Sequence, residues 1–280
     1  MTRMIDGKSI AEDIYKELKE EVDRLGDKPG LAVVLVGDDP ASLVYVRNKE
    51  RACKRLNLSY RLVKFQSSVS REELKSSIEE LNMDKSINGI IVQLPVPEHL
   101  DSFEIISSVD PLKDVDGLHP DNMGRLVSGR PRLIPCTPLG IVELIKREGI
   151  DVRGKRAVIV GRSNLVGKPL IHLLLSLDAT VTVCHSKTAN LKRETSEGDI
   201  LVVAVGKPRF ITKDMVKEGA VVIDVGINRV ENKLVGDVDF EEVASITSLI
   251  TPVPGGVGPM TVAMLMKNLI AAYNIQSNKK

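Results

Sequence analysis

Short Val- and Ile-rich runs recur along the chain: "LAVVLVG" (31–37), "YRLVKF" (60–65), "GIIVQLP" (89–95), "AVIVG" (157–161), "TVTVC" (180–184), "ILVVAVG" (200–206) and "AVVIDVG" (220–226). They are nearly continuous in apolar residues, the pattern of strands covered on both faces. Between them the apolar positions change to helical spacing. "SREELKSSIEELN" (70–82) opens on a capping box, Ser70 with Glu73. A second helix is announced by Asp39-Pro40, an N-cap followed by a proline at the first helical position. Strand and helix alternating in this way predict an α/β protein with largely parallel sheets. No internal repeat or low-complexity tract interrupts it.

The alternation falls into two units. A Pro-, Gly- and Asp-rich stretch, "DPLKDVDGLHPDNMGRLVSGRPRLIPCTP" (110–138), separates them. It is too long for an ordinary connection, so it is a linker or a functional loop. A second such cluster, "TPVPGGVGPMT" (251–261), precedes the last helix, with Pro259 suited to that helix's first turn.

Composition narrows the function classes. Of 280 residues, 42% are hydrophobic, enough for a real core. Basic and acidic residues nearly cancel, 39 against 38, and aromatics are scarce, with four Phe, four Tyr and no Trp. Neither the basic footprint nor the stacking surface of a nucleic-acid binder is present. Cys53, Cys136 and Cys184 form no CxxC, and His99, His119, His172 and His185 form no metal-ligand spacing. Reduced thiols, no secretory leader and no apolar run of membrane-spanning length point to the cytoplasm.

"KRAVIVGRSNLVGKPLIHLLLSL" (155–177) reads as strand, tight glycine loop and helix, a geometry that lets backbone and helix N-terminus meet a phosphate. It is not a triphosphate loop: five residues separate Gly161 from Gly167, and Pro169 stands where the Mg²⁺-binding hydroxyl belongs. A plain strand–turn–helix junction is the competing reading. The next strand sharpens the choice. An NAD site places an acid at its end for the ribose 2′-hydroxyl. Here the strand runs into His185, Ser186 and Lys187, with Arg162 in the preceding loop. Cations and a hydroxyl in place of the acid suit a 2′-phosphate, hence NADP.

In the first unit, "LVYVRNKERACKRL" (43–56) places Tyr45, Lys49, Ala52, Cys53 and Leu56 on one helical face. Lys49 is the lone cation there. It snorkels, pairs with a buried carboxylate, or lines a cleft as an acid/base group with its pKa lowered by burial. Tyr45 is a core aromatic or a second group in the same cleft. Gln93 closes a hydrophobic strand, the end at which α/β sheets bind ligands, or else satisfies nearby backbone. "KDVDG" (113–117) offers Asp114 and Asp116. The twelfth position from Asp114 is Arg125, so this is no EF-hand. The acids are turn residues or a substrate-binding carboxylate.

Taken in order, "YVRNK", "GIIVQLPVPEHL", "DPLKDVDGLHPDNMGRL", "PCTPLG", "VIVGRSNLVGKP", "TVCHSKT", "VVIDVGINR", "GDVDF" and "TPVPGGVGPMT" closely resemble the methylenetetrahydrofolate dehydrogenase/methenyltetrahydrofolate cyclohydrolase family, over essentially the whole chain. The resemblance implies two α/β domains flanking a cleft: a catalytic folate-binding domain (1–138 with 259–280) and a Rossmann-type NADP domain (139–258), paired as a homodimer. It implies hydride transfer from 5,10-methylenetetrahydrofolate to NADP⁺, then hydrolysis of the methenyl product to 10-formyltetrahydrofolate. Lys49 is then the principal catalytic group, held by Gln93, with Tyr45 against the folate and Asp116 on the pterin N–H donors. Leu94, Gly258 and Pro259 border the substrate. Gly161, Arg162, Ser163, His185, Ser186, Ile227 and Thr261 hold or adjoin NADP. Two departures stand out. Asn57 replaces a glycine after the Lys49 helix, where Asn still tolerates the left-handed conformation, and Leu118 replaces a common aromatic.

Three rivals share parts of this pattern. A dehydrogenase-only relative has the same fold. A shikimate-type oxidoreductase gives no reason for "QLPVPEH" with "KDVDG". A non-catalytic dinucleotide sensor has no need of Lys49, Gln93 and Asp116 together.

Overall fold

The computed structural model describes residues 2–231 and 233–277. In chain order the first elements are β1 (Arg3–Met4), α1 (Gly7–Val22), β2 (Gly30–Val36), α2 (Pro40–Leu56), β3 (Ser59–Phe65), α3 (Arg71–Met83) and β4 (Gly89–Val92). Then come α4 (Ser102–Ser107), α5 (Pro120–Val127), α6 (Cys136–Arg147), β5 (Arg156–Val160), α7 (Gly167–Leu175), β6 (Thr180–Cys184), α8 (Leu191–Ser196) and β7 (Ile200–Val203). The last are β8 (Val221–Asp224), β9 (Asn228–Val230), β10 (Lys233–Val235), α9 (Phe240–Ala244), β11 (Leu249–Ile250) and α10 (Val257–Ser277).

Two compact units emerge. One comprises Ile14–Cys136 and the chain from Val262 onward; the other comprises the chain through Asp13 and Thr137–Thr261. The first 13 residues therefore join the second unit, not the first as the sequence reading has it. The cause is β1, which pairs in parallel with β11, residues far away in sequence.

The first unit holds a parallel sheet in the order β3-β2-β4. A single parallel bridge, Ile90 to Asp114, lays the 113–117 segment beside β4. The central strand β2 is buried throughout, and Leu74, Ile78 and Leu81 of α3 pack against its Ala32 and Val34 side. β3 is the exception to the expected two-sided burial. It is the sheet edge, mostly exposed, and carries Arg61 and Lys64. Charged side chains of this kind discourage edge-to-edge pairing. The expected caps form. Asp39 accepts from Ser42 N at 2.8 Å, Ser70 accepts from Glu73 N at 3.1 Å, and Asn57 takes the left-handed conformation at φ 59°. Each such N-cap contributes on the order of 1 kcal/mol.

The second unit holds a parallel sheet in the order β1-β11-β8-β7-β5-β6. The chain leaves β5 to one side for β6 and returns to the other for β7, so the sheet has a switch point between β5 and β7, where open α/β sheets bind ligands. β7 ends at Val203, three residues before the expected limit. The amides of Val205, Gly206 and Lys207 turn instead to the Asp237 carboxylate. The small antiparallel β9–β10 ribbon is too short for its pattern to show in sequence.

Candidate active site

In α2 the buried positions are Ser42, Val46, Ala52, Cys53 and Leu56. Lys49 lies at the margin of that face, half-buried, and its Nζ donates to Gln93 Oε1 at 2.5 Å. Gln93 directly follows β4 and is 7% exposed. Its Nε2 donates to the Leu94 carbonyl at 2.7 Å, which turns the amide so that oxygen faces the lysine. Snorkelling is thereby excluded, because the amine ends on an amide rather than in water. Burial lowers the Lys49 pKa, opposed by the Asp116 charge. Tyr45, one turn earlier, is 42% exposed, so it is not a core aromatic.

The 113–117 segment divides its labour. Lys113 is buried, and its Nζ donates to the carbonyls of Leu81, Asn82 and Asp84 at 3.0, 2.6 and 2.8 Å, closing the end of α3. Asp114 is a turn residue. It accepts from His119 N and Asn122 Nδ2, both at 2.8 Å, and from Leu118 N at 3.3 Å. Asp116 is left for other work. Burial pushes its pKa up, with the Lys49 charge pulling it down and Asp114 adding to the rise. Burial thus drives Lys49 and Asp116 both toward their neutral forms. Asp114, Asp116, Ile106 and Leu118 line a small cavity over β4, where the smaller Leu118 side chain replaces the expected aromatic.

Cys136 Sγ donates to the Val115 carbonyl at 3.3 Å, and burial holds its thiol well above the ordinary value. It is not a nucleophile. Asn268, from α10, donates to the carbonyls of Val115 and Ile134 at 2.9 and 2.8 Å. Lys113 and Asn268 both support the Asp116 segment, and sequence reasoning missed both. The one available signal was an amide beside a single lysine in the otherwise apolar "AMLMKNLIAA".

In the second unit, β5 runs into Gly161 at φ 128°, whose N–H donates to the Cys184 carbonyl at 2.9 Å. A Cβ at Gly161 would lie 2.3 Å from the Ala204 carbonyl oxygen, so only glycine lets the loop cross β7 this closely. Arg162 and Ser163 are exposed, and Ser163 Oγ accepts from Val166 N at 3.1 Å. α7 has no side-chain cap; Lys168 N donates to the Ser163 carbonyl at 3.0 Å and Pro169 carries no N–H, so the Gly167 amide is the one left at this helix end for a ligand. After β6, His185 Nδ1 accepts from Lys187 N at 3.1 Å, which makes Nε2 the ring's N–H donor. Ser186 and Lys187 are exposed and no acid stands beside them.

The family model for the tetrahydrofolate dehydrogenase/cyclohydrolase catalytic domain matches residues 5–116, and that for its NAD(P)-binding domain matches residues 135–277. The chain belongs to this family. A curated relative, bifunctional protein FolD of Halothermothrix orenii, is 56% identical over 97% of this chain and 98% of its own. The crystal structure of the bifunctional FolD dehydrogenase/cyclohydrolase from Campylobacter jejuni superposes with a TM-score of 0.96 at 47% identity, covering 98% of this chain and all of that one. The Trypanosoma brucei dehydrogenase-cyclohydrolase, solved with NADP and an inhibitor, gives 0.95 at 38% identity, covering 99% and 98%. Shikimate dehydrogenases share the fold alone, at 14–17% identity.

As a tetrahydrofolate dehydrogenase/cyclohydrolase, the protein keeps Lys49, Gln93, Leu94, Asp116 and Tyr45 in its first unit. Gly258 and Pro259 fall in the second, in the first turn of α10. Gly161, Arg162, Ser163, His185, Ser186, Ile227 and Thr261 are all in the second unit, with Ile227 exposed and Thr261 Oγ1 3.0 Å from Thr137 Oγ1. No helix among the described residues is long and apolar enough to cross a membrane.

Proposed function

We propose that the chain performs both reactions of its family at Lys49: oxidation of 5,10-methylenetetrahydrofolate, then hydrolysis of the methenyl product to 10-formyltetrahydrofolate. The observation that carries this is the Lys49 amine held on Gln93 Oε1, with burial lowering its proton affinity and Asp116 beside it. Asp116 offers two oxygens to the adjacent N–H donors of the pterin. Tyr45, exposed one turn from Lys49, stacks on the folate, and Leu94 borders it.

The second unit's residues fit NADP. The Gly161 and Gly167 backbones approach one another closely enough that a Cβ at Gly167 would lie 2.2 Å from the Gly161 oxygen, making a compact phosphate loop. Arg162, His185 and Ser186 stand where a 2′-phosphate needs donors and an acid would repel it. NADP⁺, when bound, accepts the hydride.

Hydrolysis needs a proton acceptor. Water adds to the methenyl carbon, forming a C–O bond, and gives its proton to neutral Lys49. Lys49 returns that proton to N5 as the carbon–N5 bond breaks, the neutral amine takes the hydroxyl proton as the C=O forms and passes it to solvent, and the formyl group stays on N10. A lysine at its ordinary pKa near 10.4 is almost wholly protonated at neutral pH and a poor acceptor. Burial, and the positive charge of the methenyl substrate, both favour the neutral amine.

The test follows loss of 5,10-methenyltetrahydrofolate in weak buffer. Lys49→Ala and Lys49→Arg, both folded, are expected to lose about 10²-fold or more, the scale of general base catalysis. Arginine keeps the charge but cannot release its proton. Wild type no faster than buffer would leave a dehydrogenase-only role. Reduced, buried thiols at Cys53, Cys136 and Cys184 support a cytoplasmic setting. The family resemblance supports a homodimer paired through the NAD(P)-binding unit.

A further inference from the structure

Two buried carboxylates of the second unit take no part in the chemistry above. Asp224, at the end of β8, is 3% exposed, and Asp237, after β10, is 0% exposed. Asp224 Oδ1 accepts from Gly226 N at 3.0 Å and Asp237 N at 2.9 Å, and its Oδ2 accepts from Val238 N at 2.9 Å. Asp237 Oδ2 accepts from Val205 N at 2.7 Å and Gly206 N at 2.9 Å. Its Oδ1 accepts from Lys207 N at 2.9 Å and Asn228 Nδ2 at 2.8 Å.

The two acids seat on each other's glycines. A Cβ at Gly236 would lie 1.8 Å from Asp224 Oδ2, and one at Gly226 would lie 2.2 Å from Asp237 Cγ. This accounts for the acids and glycines of "IDVGIN" and "GDVDF". Burial pushes the Asp224 pKa up to about 6, so it is charged at pH 8.

The location gives the pair a purpose. The 205–207 turn leaves β7 at the switch point of the sheet, and Ala204 abuts Gly161 of the dinucleotide loop. Asn228 directly follows Ile227. We propose that Asp237 is a positioning residue for the dinucleotide, fixing the 205–207 backbone and the Ile227–Asn228 turn, while Asp224 holds Asp237 in place. The proposal rests on the reading that this end of the sheet, at its switch point, binds NADP.

Hydrogen-bond arithmetic separates the two acids. Each Asp237 oxygen serves two donors, so in Asp237→Asn either orientation of the new amide turns NH₂ against two N–H groups. Asp224 has one singly used oxygen, so an amide there can be oriented to lose only the Val238 bond. Titration calorimetry of the full chain with NADP⁺ at pH 8, beside thermal melts without ligand, tests this. Asp237→Asn is expected to weaken Kd about tenfold or more, and Asp224→Asn less than about threefold. Folded Asp237→Asn with wild-type Kd overturns the positioning role. Should Asp237→Asn not fold, Asn228→Ala decides: it removes one of four donors, and about a threefold loss is expected, while no loss overturns the role. Wild type that fails to bind NADP⁺ overturns the cofactor reading and this proposal with it.

Discussion

The Lys49 amine is held by one amide, with burial lowering its pKa against the opposing charge of Asp116. The Gln93 amide accepts from Lys49 without adding charge. A carboxylate at the same place would stabilise the ammonium and raise its pKa. Gln93→Glu should therefore move the pH–rate profile of methenyl hydrolysis to the alkaline side and cut the rate at pH 7 about tenfold or more. A profile that keeps its wild-type midpoint would show that Lys49 is not the group titrating. Lys49 and Gln93 could be picked out in sequence because each breaks an apolar pattern, one on a helix face and one at a strand end. Lys113 could not. In sequence it is one lysine in an acidic turn, and only folding brings it to the carbonyls of α3.

Among the elements, α3 shows how a helix end is finished from elsewhere. Its last turn carries no basic residue, and its C-cap is Asp84 in an extended conformation. Lys113 supplies the missing donors through three hydrogen bonds. Lys113→Met removes the ammonium from the Leu81 and Asn82 carbonyls, while Asp84 keeps its bond from Ile87 N, and should lower stability by about 2–3 kcal/mol, read from a denaturant or thermal melt. The same change loosens the turn bearing Asp116, so KM for the folate should rise more than kcat falls. An unchanged melting temperature would mean that water replaces the ammonium at no cost. The β3 strand makes the opposite point. Its apolar run resembles that of β2, yet its place at the sheet edge exposes it.

Across the whole molecule, α10 is the element on which the first unit's packing depends. Met264, Met266, Leu269 and Ile270 are all but fully buried. Met266 Sδ lies 3.9 Å from Cys53 Sγ of α2, and Leu269 lies so close to Gly89 that a Cβ there would meet its Cδ1 at 2.7 Å. Each buried Leu, Ile or Met is worth about 2–5 kcal/mol, and a domain's net stability is only about 5–15 kcal/mol. A chain truncated after Thr261 should therefore lose the fold of the first unit. Proteolysis should digest residues 14–136 while fragments of 137–261 persist; survival of the first unit would show that its core closes without α10.

The elements and their order follow from local properties: apolar periodicity, caps at Asp39 and Ser70, a left-handed Asn57, and a glycine loop after β5. These act over a few residues, so a string of letters displays them. The missing acid after β6 also lies in one short segment, and it carries the preference for NADP. What needed the folded chain was every partnership across long separation. Lys113 meets Leu81 32 residues away, Asn268 meets Val115 153 residues away, and β1 meets β11. Asp224 and Asp237 show the reason most plainly. Acidic residues near glycines read as ordinary turns, because what separates a turn acid from a buried clamp is where the backbone amides of three distant segments converge.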